Sequence, residues 1–452
     1  MIRRSTGVAT LSLVSSLSAS TRSTGGPAGS AQGAREAPFD ASRYELVHAS
    51  CYFRHGARAP IYGLDAPCVR GVEWDACAAT AALAAAVDGG ADAVVALRRH
   101  GTVGDAPAPS DVDARQRLTV LNGGCHCGEL TAAGLGQAAR LGERLRKRYG
   151  AALRIDAPDF EADRLSARTT HVSRCVLTLR GVLETLRGTD DAEAPPRPPV
   201  RVDTVHALDE WLTPNARSCA RLRDLWAARA PFEWAAHLGS VSDKLDPAVA
   251  ALYDYPRRAV PLKDAMIARA ALGEALPYGI TQAELIRLDD AAAAEVAALV
   301  GVGVACGVTA DELTRLCAGR MLRELRDSLS AAGDETLRLV SGHDTTLKPL
   351  LVALGLYDHK WPPFCACLVV ELHADRETGD RAVRVVYNGR NIANAEDAAG
   401  EFYEARPLTR LSDFFLALDR FVVEDDDAWQ TCCGGGAAAA DADAATAGGS
   451  SF

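Results

Sequence analysis

The sequence predicts an α/β protein carrying a helical insertion, and three observations predict it. Residues 45–53 (ELVHASCYF) are mostly apolar and end in an arginine-histidine turn, as a buried strand does when it meets a ligand-binding loop. Residues from about 205 to 330 read as mostly helical, broken at Pro214, Pro247, Pro256 and Pro277, which marks an insertion. Beyond them residues 337–340 (LRLV) are again a short strand, ending at Ser341-Gly342-His343-Asp344.

Taken in order, the first 35 residues hold Arg3, Arg4, Arg22 and Arg35, many small hydroxylic residues and no acid before Glu36. That composition suits an organelle transit segment of a mitochondrion or plastid over residues 1–40. Residues 8–17 would alternatively serve as the apolar part of a secretory signal, which leaves a secreted or lysosomal/vacuolar location open. The Ala/Gly/Asp/Pro-rich stretch 78–112 reads as a surface excursion. From Thr131 an apolar stripe of Leu135, Ala138, Leu141, Gly142 and Leu145 predicts a helix, with Arg144, Arg146, Lys147 and Arg148 crowding an end where cations suit the dipole. A second helix is expected after Ser166, carrying Val172, Cys175, Val176, Leu179 and Val182. Residues 190–200, acidic and proline-rich, suggest a boundary. Residues 368–374 and 382–387 alternate around Arg376-Glu377-Thr378-Gly379-Asp380 and read as a hairpin. After Cys432 the chain is low in complexity, which predicts disorder over 432–452.

At 452 residues and 48% apolar content the chain can build a large core of two lobes, or one domain with an insertion. A net charge of −10 argues against nucleic acid as a partner, and no apolar run reaches the roughly 18 residues of a transmembrane segment. Nothing in the pattern indicates an oligomeric state. Basic charge is almost wholly arginine, the lysines being Lys147, Lys244, Lys263, Lys348 and Lys360. Of the 13 cysteines, Cys125-His126-Cys127 and Cys365-x-Cys367 are spaced too tightly for zinc knuckles. Free thiols are the expectation.

The chemistry is carried by Arg54-His55-Gly56-Ala57-Arg58-Ala59-Pro60. Two guanidinium groups around one histidine suit a dianion, since each can bind phosphate oxygens in a planar, bidentate way. A neutral imidazole between them can attack phosphorus and hold the phosphoryl group, and Gly56 would let backbone and phosphate approach. His343-Asp344, at a second strand end, supplies a carboxylic acid for the leaving alkoxide and a histidine to bind phosphoryl oxygens. Arg168, at the expected helix start in Arg168-Thr169-Thr170-x-x-x-Arg174, is the third arginine of the clamp, with Arg174 reading as a salt-bridging residue.

These elements in this order resemble the histidine acid phosphatases, the acid-phosphatase branch of the histidine phosphatase superfamily. The likeness runs from about Glu45 to Cys432 and includes Val72-Glu73-Trp74, Leu130-Thr131-x-x-Gly134, Leu141 to Lys147, Leu212-Thr213-Pro214-Asn215-x-x-Ser218-Cys219 and Asp358-His359-Lys360-Trp361-Pro362-Pro363-Phe364. Within that branch it is strongest to phosphatases of lysophosphatidic acid. The resemblance implies a central, mostly parallel α/β sheet of the phosphoglycerate-mutase-like kind, with a helical cap inserted at about 201–330 into a domain spanning 41–431. It implies that His55 is the phosphorylated nucleophile, that Arg54, Arg58, Arg168 and His343 bind phosphate, and that Asp344 donates the proton. It implies no metal and no cofactor, and as substrate a small phosphomonoester, such as a lysophospholipid phosphate. The usual Arg-Ser-Thr reads Arg168-Thr169-Thr170 here. Phosphoglycerate mutases place an acid soon after Arg-His-Gly, where Ala57-Arg58 stands, so hydrolysis fits better. A phytase acting on inositol phosphates and a catalytically inactive phosphate- or lipid-binding protein remain as alternatives.

Overall fold

A computed structural model describes residues 42–63, 67–99, 110–155, 164–188, 198–228, 234–239, 241–249, 259–302, 309–331, 335–389 and 400–434. The targeting-type segment at 1–40 and the tail beyond 434 lie outside these residues, as does most of the 190–200 boundary.

Eight strands form one mixed sheet: β1 (Tyr44–Arg54), β2 (Val95–Arg99), β3 (Leu165–Thr169), β4 (Val200–Thr204), β5 (Leu337–Gly342), β6 (Cys367–Asp375), β7 (Arg381–Tyr387) and β8 (Tyr403–Arg410). Their order is β2-β4-β3-β5-β1-β6-β7-β8. The run from β2 to β1 is parallel, and β6, β7 and β8 continue it antiparallel. β1 lies between β5 and β6 and is buried from Ala49 to Arg54. A central strand with both faces covered has no solvent side to fill with polar residues, which is why residues 49–53 read as continuous rather than alternating.

Helices cover both faces. On one, α1 (Ala132–Tyr149) and α2 (Ser173–Arg187) bring Leu141, Leu145, Leu179, Val182 and Leu183 onto Phe53, Ala167 and Leu339. Thr131 caps α1 by accepting from the Gly134 N–H at 3.2 Å. On the other face, Met321, Leu322 and Leu325 of a helix at Ala310–Ser330 join Leu347 and Leu350 of a helix at Asp344–Ala353 over Tyr52, Val340 and Leu368. A separate core is built by α3 (Ala259–Ala271) and α4 (Gln282–Ala297), where Leu262, Met266, Leu285, Leu288 and Ala292 pack with Leu238, Val241, Leu245 and Trp74. The helices at Ala310–Ser330 and Asp344–Ala353 become α5 and α6 below. The hairpin expected around 376–380 is β6-β7.

Three local expectations differ from the structure. Residues 165–169 are a strand and not the start of a helix, because they pair in register with β5 from Leu165↔Leu337 to Thr169↔Ser341. The helix begins only at Ser173, whose N–H and hydroxyl both donate to Asp113. The 78–112 stretch contains regular structure. Its alanines form the helix Ala78–Asp88, which buries Thr80, Ala84 and Val87, and β2 pairs with β4 at the sheet edge. Four cysteines expected as thiols are bonded as Cys77–Cys125 and Cys219–Cys433, the second tying the end of the described chain to residue 219.

Candidate active site

β5 and β1 are parallel neighbours, so their carboxyl ends open at the same edge, where α/β sheets collect ligands. Arg54 pairs across to Gly342, and the His55 N–H donates to the Gly342 carbonyl at 2.9 Å. This sets Arg54-His55 beside His343-Asp344, although nearly 290 residues separate them in sequence. All four are buried, as are Arg58 and Arg174.

The turn after His55 is held tightly. A Cβ on Gly56 would lie 2.3 Å from the Gly134 carbonyl oxygen, and one on Gly134 would lie 2.0 Å from that of Ala57. Glycine at 56 therefore serves the approach of α1, not that of a ligand, which corrects the sequence reading. The Gly56 N–H donates to Thr178 at 3.0 Å and the Ala57 N–H to Gln137 at 2.9 Å, closing the loop against α2 and α1.

His55 Nδ1 lies 2.8 Å from the Gly56 carbonyl oxygen. A carbonyl only accepts, so Nδ1 carries the proton and Nε2 keeps its lone pair. Burial, then the charges of Arg174, Arg54 and Arg58, hold the imidazole well below its usual range. This matters at acid pH: with an ordinary pKa near 6.5, only about 3% of a histidine is neutral at pH 5. Here burial and the arginines favour the neutral form.

The cations are themselves anchored. Arg54 donates to the Pro362 carbonyl at 2.7 Å, lies 3.2 Å from Asp344 Oδ2 and stacks 4.2 Å from the Phe364 ring centre. Arg58 donates to Asp264 of α3 at 2.7 Å, and Asp264 also accepts from the Ile61 N–H at 2.8 Å. Arg174, the second residue of α2, donates to Gln116 at 2.9 Å. His343 shares a hydrogen bond of 3.0 Å with the Thr170 hydroxyl, and its ring stands edge-on to His55 with centres 5.5 Å apart.

Asp344, the first residue of α6, accepts from the Trp361 indole N–H at 2.8 Å. Burial alone would push its carboxyl up. Arg54, Lys348, Lys263 and the indole outweigh that and hold it below the usual carboxylate range. With these cations around it, Asp344 favours the ionised form.

These groups line one cleft: Arg54, His55, Arg58, Arg174, Lys263, Asp264, His343 and Asp344, with Ile61, Tyr62, Val260 and Trp361. Three arginines and Lys263 face two carboxylates, an excess of positive charge that matches a phosphate dianion. Five of the residues expected from sequence are brought together here: Arg54, His55, Arg58, His343 and Asp344. Arg168 is not. Its guanidinium donates to Glu210 at 2.8 Å and stacks 4.6 Å from the Trp211 ring centre, and the cleft is lined by Arg174 in its place. Sequence reasoning also missed Lys263, Asp264 and Asp289, single charges in an alanine-rich helical stretch. Their one signal was that lysine is so rare. Among the described residues, Cys77, Cys125 and Glu129 cluster as metal ligands would, but the two sulfurs are bonded to each other.

A profile of the histidine phosphatase superfamily (branch 2) matches residues 45–258 and 309–388. The chain belongs to that superfamily and is a phosphomonoester hydrolase. It is 28% identical to lysophosphatidic acid phosphatase type 6 of Homo sapiens over 78% of this chain and 80% of that one. It is 30% identical to testicular acid phosphatase of Mus musculus over 62% of this chain and 66% of that one. Among solved structures it is similar to the Klebsiella sp ASR1 phytase, with a TM-score of 0.55 and 14% identity over 88% of this chain and 97% of the other, a likeness of fold.

Proposed function

We propose that this enzyme hydrolyses lysophosphatidic acid or a similar amphiphilic phosphomonoester by way of a phosphohistidine on His55. The observation that carries the proposal is the Nδ1 contact to the Gly56 carbonyl, which leaves Nε2 as the nucleophile among the arginines. Nε2 attacks phosphorus, the bond from phosphorus to the ester oxygen breaks, and Asp344 protonates the departing alkoxide. Water then attacks the phosphohistidine, Asp344 takes the water proton, and phosphate leaves. Arg54, Arg58, Arg174 and His343 hold the phosphoryl oxygens throughout.

Asp344 needs a proton that the surrounding cations disfavour. A phosphomonoester is largely a monoanion below about pH 6, so it brings one in. A dianion bound among the cations also offsets the charges that keep Asp344 ionised. Acid pH therefore favours turnover while His55 stays neutral.

The substrate reading rests on a second cavity of about 200 Å³ that shares Arg54, Lys263 and Trp361 with the phosphate cleft. Its walls include Ile267, Ala270, Leu276, Leu285, Pro363 and Phe364, which suit a hydrocarbon chain and not a ring bearing many phosphates. Benzene fits a cavity of about 150 Å³, so this one takes part of an acyl chain. The human relative, a lysophosphatidic acid phosphatase, supports that choice. The two disulfides favour an oxidising compartment, which suits a secretory route or an oxidising organelle space.

The test is a panel at pH 5 of lysophosphatidic acid, glycerol 3-phosphate, phytate and phosphotyrosine. Lysophosphatidic acid should have the highest kcat/KM. Phytate in first place would reverse the substrate reading.

A further inference from the structure

The junction between the two cavities carries a buried pair of opposite charges. Lys263 of α3 and Asp289 of α4 are both buried, with Lys263 Nζ 3.4 Å from Asp289 Oδ1. The ammonium also lies 3.8 Å from the centre of the Trp361 ring, whose N–H holds Asp344. Lys263 lines both cavities, and Asp289 lines the apolar one. An ammonium has three N–H donors, and Asp289 Oδ1 occupies no more than one of them. The other carboxylate oxygen, Oδ2, is buried without a hydrogen-bond partner among the described residues. Both residues come from the stretch between the two parts matched by the superfamily profile, 45–258 and 309–388.

A leaving group that reaches from Asp344 into the apolar cavity passes this point, because Arg54, Lys263 and Trp361 line both cavities. A donor and an acceptor side by side there match one ligand group, a hydroxyl, which can accept from Lys263 and donate to Asp289 Oδ2. We propose that Lys263 and Asp289 form a hydroxyl-recognising pair, selecting phosphomonoesters whose alcohol bears a free hydroxyl beside the ester carbon and an apolar chain beyond it. The proposal rests on the phosphatase reading above and narrows it to monoacyl polyol phosphates. Burial, opposed by Asp289 and helped by Arg54, lowers Lys263 to about 8, so it stays charged at the acid pH of turnover.

The experiment compares 1-oleoyl lysophosphatidic acid with 3-oleoyloxypropyl phosphate, which has the same chain and lacks the hydroxyl, both as monomers at pH 5. Removing a group that satisfies a buried donor and acceptor costs about 10- to 100-fold, so wild type should prefer the hydroxylated compound by that factor in kcat/KM. Lys263→Met and Asp289→Leu should each bring the preference below about 3-fold. The ratio is independent of how much of a variant is folded. If wild type hydrolyses both equally, or Lys263→Met keeps the full preference while losing rate on both, the pair is only electrostatic support and the proposal fails. If wild type hydrolyses neither compound nor p-nitrophenyl phosphate, the phosphatase reading fails instead.

Discussion

Arg174 and Arg168 stand six residues apart, and exchanging each for glutamine should separate catalysis from stability. Arg174 is buried in the cleft with Gln116 as its neighbour, and the phosphate is the anion left for it to meet. A hydrogen bond to a charged group contributes about 1.5–3 kcal/mol, so Arg174→Gln should lower kcat/KM for p-nitrophenyl phosphate roughly 10- to 150-fold. Arg174 is also the first charge, after burial, that keeps His55 from taking a proton. Removing it raises the histidine, so the acid limb of kcat/KM should move to higher pH. Arg168 is paired with buried Glu210 away from the cleft. Arg168→Gln leaves a buried carboxylate without its cation, a loss on the order of 3–5 kcal/mol of stability, with the rate per folded molecule and its pH profile kept. The assay is pH-dependent kinetics normalised to folded protein, with a thermal melt beside it. If Arg168→Gln lost more rate per folded molecule than Arg174→Gln, or the acid limb of Arg174→Gln stayed in place, the clamp described here would be wrong.

Asp344→Asn should slow alkyl phosphates at least tenfold more than p-nitrophenyl phosphate, because p-nitrophenolate leaves without a proton; equal losses would remove Asp344 as the acid. Gly56→Ala should fail to fold stably or lose several kcal/mol in denaturant melts, since its methyl would meet the Gly134 carbonyl oxygen at 2.3 Å; a wild-type melting temperature would refute that packing. The Cys77–Cys125 bridge spans 48 residues, and chain entropy assigns such a loop about 4 kcal/mol, so Cys77→Ala/Cys125→Ala should melt well below wild type.

Much of the catalytic centre was legible because it lies in two short runs, each at a strand end. Arg54-His55-Gly56-x-Arg58 and His343-Asp344 need only a parallel β1-β5 pair to meet, and the apolar runs before them indicated both strands. Arg168 and Arg174 were harder. Which of them lines the cleft depends on where the strand stops and the helix starts, and pairing with β5 decides that, not local pattern. Lys263, Asp264 and Asp289 carry no motif. They matter because α3 and α4 fold back on the cleft, a tertiary fact that periodicity in an alanine-rich stretch does not record. The cysteines behave likewise, since Cys219 and Cys433 are 214 residues apart and only the fold shows which thiols meet.

The central claim, covalent catalysis by His55, is tested most directly by rapid acid-free quenching of a turnover with ³²P-labelled lysophosphatidic acid. Mapping the labelled peptide should place an alkali-stable, acid-labile phosphoryl group on His55, and His55→Ala should show no label and no turnover above background. A label on another residue, or a His55→Ala enzyme that still hydrolyses substrate, would contradict the account.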